Sequence, residues 1–254
     1  MRIIIIITSI IAIVFSSCRR IEGEGAIVVR QIDIETFNQI ETACAFNVYV
    51  EYGTEFKVEA EGEQNIIDLL RTKVTDNKWY IELKNGTYTN YTLDLYITMP
   101  YITTITNSGS GHVFIANFSQ DNIKLTVGGS GNVICTESIT INNLIELDNS
   151  GSGNIEINQL SCNQSTTNIG GSGAVSIVGN SLKNEITSSG SGLFSGFDFT
   201  ADYCEIKSEG SGNCRVFVND ELGILITGSG NVYYRGYPNV LSIVNGSGEV
   251  INSN

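Results

Sequence analysis

The triplet Gly-Ser-Gly occurs eight times from position 109 onward, and this recurrence constrains the fold more than any other feature of the chain. The glycine pairs are Gly109 and Gly111, Gly129 and Gly131, Gly151 and Gly153, Gly171 and Gly173, Gly190 and Gly192, Gly210 and Gly212, Gly228 and Gly230, and Gly246 and Gly248. Their starts are 20, 22, 20, 19, 20, 18 and 18 residues apart. A fixed period of this length is the signature of stacked structural repeats. Four residues after the first glycine stands an apolar side chain: Val113, Val133, Ile155, Val175, Phe194, Cys214, Val232 and Val250. Two residues further on come Ile115, Cys135, Ile157, Ile177, Val216 and Tyr234, while the fifth copy has Gly196. Four residues before it stand Ile105, Leu125, Leu147, Ile186, Ile206 and Ile224, with Thr167 and Ser242 as exceptions. Alternation of this kind marks strands with one face inward. Each period therefore holds at least two short strands separated by a glycine corner.

A helical repeat is disfavoured by the period-2 pattern and by glycine at every corner. A propeller blade needs about twice this period. The reading that remains is an all-β, single-stranded parallel β-helix, a solenoid with about 20 residues per coil. Coils would stack about 4.8 Å apart, with like residues in ladders along the axis. Glycine suits the corners because it permits both positive φ and close backbone approach. The serines between the glycines would form one column along an edge. Residues 31–104 lack the triplet but keep the alternation, as in Phe46, Val48 and Val50 or Leu93, Leu95 and Ile97. They are expected to be irregular first coils, followed by the Gly-Ser-Gly coils of 105–254. The run from Glu63 to Arg71 is expected to form one short helix capping the stack.

The N-terminus reads as a processing segment. Met1 and Arg2 precede an apolar run from Ile3 to Phe15, interrupted at Thr8 and Ser9 and ending in Ser16, Ser17 and Cys18. Such a pattern is an export signal, and the run is short for a membrane span. The Ser-Ser-Cys ending is similar to a bacterial lipobox, with Phe15 where Leu is usual. We therefore expect a signal peptide over 1–17, lipidation of Cys18 and a tether over 18–30. Membrane attachment through that lipid places the chain in the cell envelope as an outer-membrane lipoprotein, on its outer or periplasmic face.

The eight corners, the strand Gly153-Asn-Ile-Glu-Ile-Asn158, the opening Phe37-Asn-Gln-Ile40 and Phe46-Asn-Val48 resemble the putative auto-transporter adhesin, head GIN domain family. The resemblance spans 31–254. It implies a right-handed parallel β-helix in an envelope lipoprotein of Bacteroidetes-type bacteria, an adhesion role and no catalytic residues. Arg19 and Arg20 stand where surface-export signals of such bacteria favour acids.

The remaining chemistry is sparse. The formal net charge is -13, and phosphate binding needs clustered positive charge, so no nucleic-acid partner is expected. The single histidine, His112, occupies the slot that holds Asn132, Asn154, Ala174, Leu193, Asn213, Asn231 and Glu249 in the other repeats, which speaks against a catalytic role. The chain thereby departs from hexapeptide acyltransferases, which are solenoids that depend on a histidine. Asp94, Asp121, Asp148, Asp198, Asp202 and Asp220 fall at different phases of the repeat, unlike the clustered carboxylates of β-helix polysaccharide enzymes. The calcium β-roll needs a nine-residue repeat rich in Asp, so no metal and no cofactor is expected. Beyond Cys18 there are five cysteines at irregular spacing, read as buried thiols, with a Cys204–Cys214 bridge as the alternative. Tyr233, Tyr234 and Tyr237 are candidate contacts for a glycan or protein ligand of unknown identity. Only six residues follow the last corner, so the final coil is expected to expose strand edges to a partner or to a second copy. The function expected is a non-catalytic binding or adhesion module. The alternatives are an enzyme acting on envelope polysaccharide and a periplasmic structural scaffold.

Overall fold

The computed structural model describes residues 20–254, so Cys18 and the expected signal peptide lie outside the described residues. The repeating half is a parallel β-solenoid of about 7 turns with about 20 residues per coil. Its strands are β10 (Thr104–Asn107), β11 (Val113–Ala116), β12 (Ser119–Val127), β13 (Val133–Asn149), β14 (Ile155–Ile169), β15 (Val175–Ser188), β16 (Phe194–Ser208), β17 (Cys214–Ile226), β18 (Val232–Arg235), β19 (Asn239–Val244) and β20 (Val250–Asn252).

Each long strand is in fact three sides of a coil. In β13 the register against β14 shifts between Cys135 and Ser138 and again between Ile141 and Leu144. The coil thus has a first side at 133–135, a second at 138–141 and a third at 144–149, closed by the Gly-Ser-Gly corner. The expectation of at least two strands per coil is met by three, and the second side has only a few ladder positions, too short for its alternation to stand out in the sequence.

The core is a set of ladders. Val113, Val133, Ile155, Val175, Phe194, Cys214 and Val232 form one, all fully buried and paired coil to coil. Burying each such aliphatic side chain contributes about 1.5–3 kcal/mol. The break at Gly196 is compensated from within the same strand. A Cβ there would lie 2.6 Å from the Phe194 ring, so the larger ring fills the space that Gly196 leaves. The third side is less uniform. Ser165, Thr167, Asn184, Ser188 and Ser208 are buried among the ladders. Ser165 donates to Asn184 at 3.2 Å, whereas the hydroxyls of Thr167, Ser188 and Ser208 have no hydrogen-bond partner.

The N-terminal part departs from the sequence expectation in three ways. Its elements are β1 (Arg20–Glu22), β2 (Ile27–Gln31), β3 (Gln39–Thr42), β4 (Asn47–Tyr52), β5 (Lys57–Glu63), α1 (Gln64–Ile67), β6 (Val74–Thr75), β7 (Lys78–Ile81), β8 (Thr87–Thr89) and β9 (Leu93–Met99). First, the stretch expected as a tether carries β1, paired with β8, and β2, paired with β5. Glycines and charges around Glu22–Gly25 hide a short edge strand from pattern reading. Second, stacking order is not chain order. β3 lies between β7 and β10, and β4 between β9 and β11, so the first coil in sequence is sandwiched between two later ones. Third, the ladder is not wholly parallel: β5 runs antiparallel to β9, β2 to β5, and β6 to β7. The helix expected over 63–71 stops at Ile67. Leu70 bridges Leu83, and the Arg71 N–H donates to Glu82 O at 3.0 Å, so sheet pairing takes the rest. Ile66 and Ile67 are buried, as a cap requires.

Candidate functional site

The corners are built by close approach, not by unusual dihedrals. Among the described residues the glycines at positive φ are Gly25, Gly179 and Gly236, and none belongs to a triplet. A Cβ on Gly129 would instead sit 2.1 Å from Gly109 O, and one on Gly153 would sit 2.1 Å from Gly131 O. The corners stack backbone on backbone, each presenting its N–H groups to the coil before it: Ser130 and Gly131 both donate to Gly109 O, at 3.1 and 3.0 Å. The clash always points toward the preceding corner. Gly109 accordingly faces Cys44 O at 2.2 Å, and the corner beneath it is Ala43-Cys44-Ala45, where side chains fit.

Two asparagines brace corners from inside. Asn107 Nδ2 donates to Gly111 O at 2.8 Å and Asn132 O at 3.1 Å, while its Oδ1 accepts from Gly109 N–H at 3.1 Å. Asn149 does the same with Gly153 O, Ala174 O and Gly151 N–H. A second ladder runs outside, in the slot after each corner. Asn132 Oδ1 accepts from Asn154 N–H at 2.8 Å, and Asn154 Oδ1 from Ala174 N–H at 2.9 Å. Ala174 and Leu193 interrupt it, and Asn213 and Asn231 resume it. His112 is one rung: its Nδ1 accepts from Asn132 N–H at 3.1 Å. The imidazole stands in for an asparagine oxygen, which explains its place in a variable slot.

The serines Ser110, Ser130, Ser152, Ser172, Ser191, Ser211, Ser229 and Ser247 are all exposed, forming one straight polar ridge. On the first side, Tyr96, Tyr49 and Phe114 stack outside with centroids 4.9 Å apart and rings 11° from parallel. Their faces cover one another, so the stack works as a ladder and offers edges to solvent. Burial, together with the hydrogen bond that Tyr96 donates to Glu61, pushes that hydroxyl up to about 12.

The three candidate tyrosines are not brought together. Tyr233 and Tyr234 are consecutive on β18 and point to opposite faces. Tyr233 lies outside, with the Arg215 guanidinium 6.0 Å from its ring centre, and Tyr234 packs against the core. Tyr237 stands on the turn before Pro238 and is 91% exposed.

The ionisable groups are tied into ladders rather than gathered. Asp121 accepts from Asn142, Asp202 from Asn219, and Asp148 from both Asn168 and Lys124. Among the described residues no His, Cys, Asp and Glu side chains form a group that could hold a metal ion. The five described cysteines are free thiols, so the Cys204–Cys214 bridge is not formed. Burial pushes Cys135, Cys162 and Cys214 up to about 12 and raises Cys204. Cys44 borders a depression of about 490 Å³ lined also by Lys84, Tyr88 and Tyr91. Burial raises this thiol too, outweighing the Thr42 hydroxyl 2.7 Å away, which acts to lower it, so it is a poor nucleophile.

Fold and surface together define a β-solenoid protein with uniform coils and laddered polar faces. The chain belongs to the family described as putative auto-transporter adhesin, head GIN domain, whose model matches residues 36–238. Among solved structures it is similar to a putative adhesin from Parabacteroides distasonis (21% identity, TM-score 0.84, covering 92% of this chain and 100% of that one). A putative lipid binding protein from the same organism gives 24% identity and TM-score 0.82, covering 93% and 100%. A putative adhesin from Parabacteroides merdae gives 20% and 0.81, covering 93% and 100%. No curated protein matches the chain.

Proposed function

We propose that this chain is a non-catalytic binding or adhesion module of the bacterial envelope, held to the outer membrane by a lipid on Cys18. One observation carries the reading. The exterior is a set of register-matched columns, the exposed serine ridge above all, running along the repeating part of the stack. Such columns present the same group about every 4.8 Å, which suits an extended, repetitive ligand such as a glycan or a protein surface. Membership of an adhesin-type family supports the same class and an envelope or surface location. Asp121, Asp148 and Asp202 are engaged in ladder contacts with Asn and Lys, not gathered in one cleft as a polysaccharide enzyme would need. The name of the lipid-binding neighbour gives no interior site here, because the core positions are filled by packed ladders.

The test is accessibility to protease and antibody on intact cells, with Cys18→Ala as the control. Labelling of intact cells that disappears in the variant is the expected result, and glycan and host-protein screens then define the ligand. Exposure only after the outer membrane is permeabilised would replace the adhesin by a periplasmic scaffold.

A further inference from the structure

Among the described residues, the edge strand β19 combines an unpaired edge with exposed apolar side chains. It pairs through Glu221–Ile226 of β17 on one side, and its other edge is open. Leu241 is 75% exposed, Ile243 56% and Val244 45%. Exposed strand edges in stable proteins carry charges, prolines or bulges that block pairing. Residues 239–244 read Asn-Val-Leu-Ser-Ile-Val, and the whole stretch 236–248 holds no charged side chain. In a chain of formal charge -13 this is a neutral landing point for a like-charged molecule.

We infer that β19 pairs with β19 of a second copy, antiparallel about a twofold axis through Ser242. The register follows from the ladder. Val240, Ser242 and Val244 continue the inward positions of Leu222, Ile224 and Ile226, while Leu241 and Ile243 continue the outward ones of Gly223 and Leu225. An antiparallel pair must match side chains on the same face. Centred on Ser242, Val240 meets Val244, Leu241 meets Ile243, and Ser242 meets itself. Centred on Leu241, Asn239 would face Ile243 and Val240 would face Ser242, a mismatch on both faces. A self-complementary patch of this kind is what a closed twofold dimer needs. Beside it lies a depression of about 460 Å³ between Gly223, Leu225, Leu241 and Ile243 on one flank and Glu185 and Glu205 on the other.

The opposite end is unsuited to the same contact. β2 also exposes Ile27 and Val29, but Glu22, Glu24 and Arg30 flank it, and Glu59, Glu61 and Glu63 lie on its partner β5. Two such acidic ends repel. β1 enters the fold at that end, so the dimer places the two copies of β1 at its far poles. Bridging of two membranes rests on the lipid-anchor reading; the pairing itself does not.

Cross-linking tests it in the full chain carrying Cys18→Ala, which makes the result independent of anchoring. Ser242→Cys is expected to give a covalent dimer under mild oxidation. Asn239→Cys is expected to stay monomeric, since two copies of that position would lie roughly 20 Å apart at about 3.4 Å per residue. L241K/I243K changes two outward side chains, so circular dichroism and melting should be retained while the dimer is lost. Equal cross-linking at 239 and 242, a mass that stays monomeric at high concentration, or a dimer that survives L241K/I243K would overturn the proposal.

Discussion

The two ends of the solenoid solve the same problem differently. At the N-terminal end the chain reverses direction: β5 runs against β9 and β2 against β5, so parallel growth stops. There α1 buries Ile66 and Ile67, and Trp79 is fully buried beside Phe37 with its indole donating to Arg71 O at 2.8 Å. At the C-terminal end the pairing stays parallel, β19 on β17 and β20 on β18. One small device closes it: the Asn254 carboxamide accepts from Gly236 N–H at 2.9 Å and donates to Gly236 O at 2.8 Å, in place of the next coil's peptide. β19 receives no such cover. A repeat that stacks by adding identical edges stops growing where the pattern breaks, and the antiparallel strands supply such a break at the N-terminal end.

The comparison can be broken most forcefully at the cap. Trp79→Ala removes the largest fully buried side chain and strands a carbonyl, and should cost about 4 kcal/mol in urea denaturation. A loss under about 1 kcal/mol would mean the cap is not what stabilises this end. The corners give the next effect. Gly171→Ala places a methyl 2.1 Å from Gly151 O and should cost about 3 kcal/mol, whereas neighbouring Gly170→Ala meets nothing closer than Ser189 Oγ at 3.9 Å and should be neutral. Equal effects would refute backbone stacking as the reason for the triplet. Asn149→Ala removes three hydrogen bonds inside a corner and should cost about 2 kcal/mol by the same measurement. Thr167→Val should go the other way, stabilising by about 1 kcal/mol, since it removes an unpartnered buried hydroxyl from a Leu147–Ile186 ladder. A further effect is pH-dependent. Burial holds Cys135, Cys162 and Cys214 near 12, against the ordinary 9.0, so the unfolded chain loses these protons first. Stability from these thiols is complete below pH 9 and falls as pH rises toward 12. Native protein at pH 8 should resist thiol-labelling reagents until denatured.

The repeating coils were legible because their constraint is local and recurs. Every Gly-Ser-Gly meets the same backbone 18–22 residues away, so the same residues are required each time. The N-terminal half was legible only as strands. Nothing in Gln39–Thr42 says that it will lie between β7 and β10, because that order depends on contacts with residues about 40 and 65 positions later. The surface was less legible still. The cluster of tyrosines near 233–237 looked like one site, but strand alternation sends Tyr233 outward and Tyr234 inward.

The sequence by itself thus determined the solenoid, its period, its corners and its inward ladders, all of which follow from steric rules that each coil repeats. Only the folded chain shows that glycine serves close approach and not positive φ, that β3 and β4 are sandwiched between later strands, and that His112 acts as an asparagine rung. Those are properties of which coil lies against which, and a one-dimensional pattern holds no record of its neighbours.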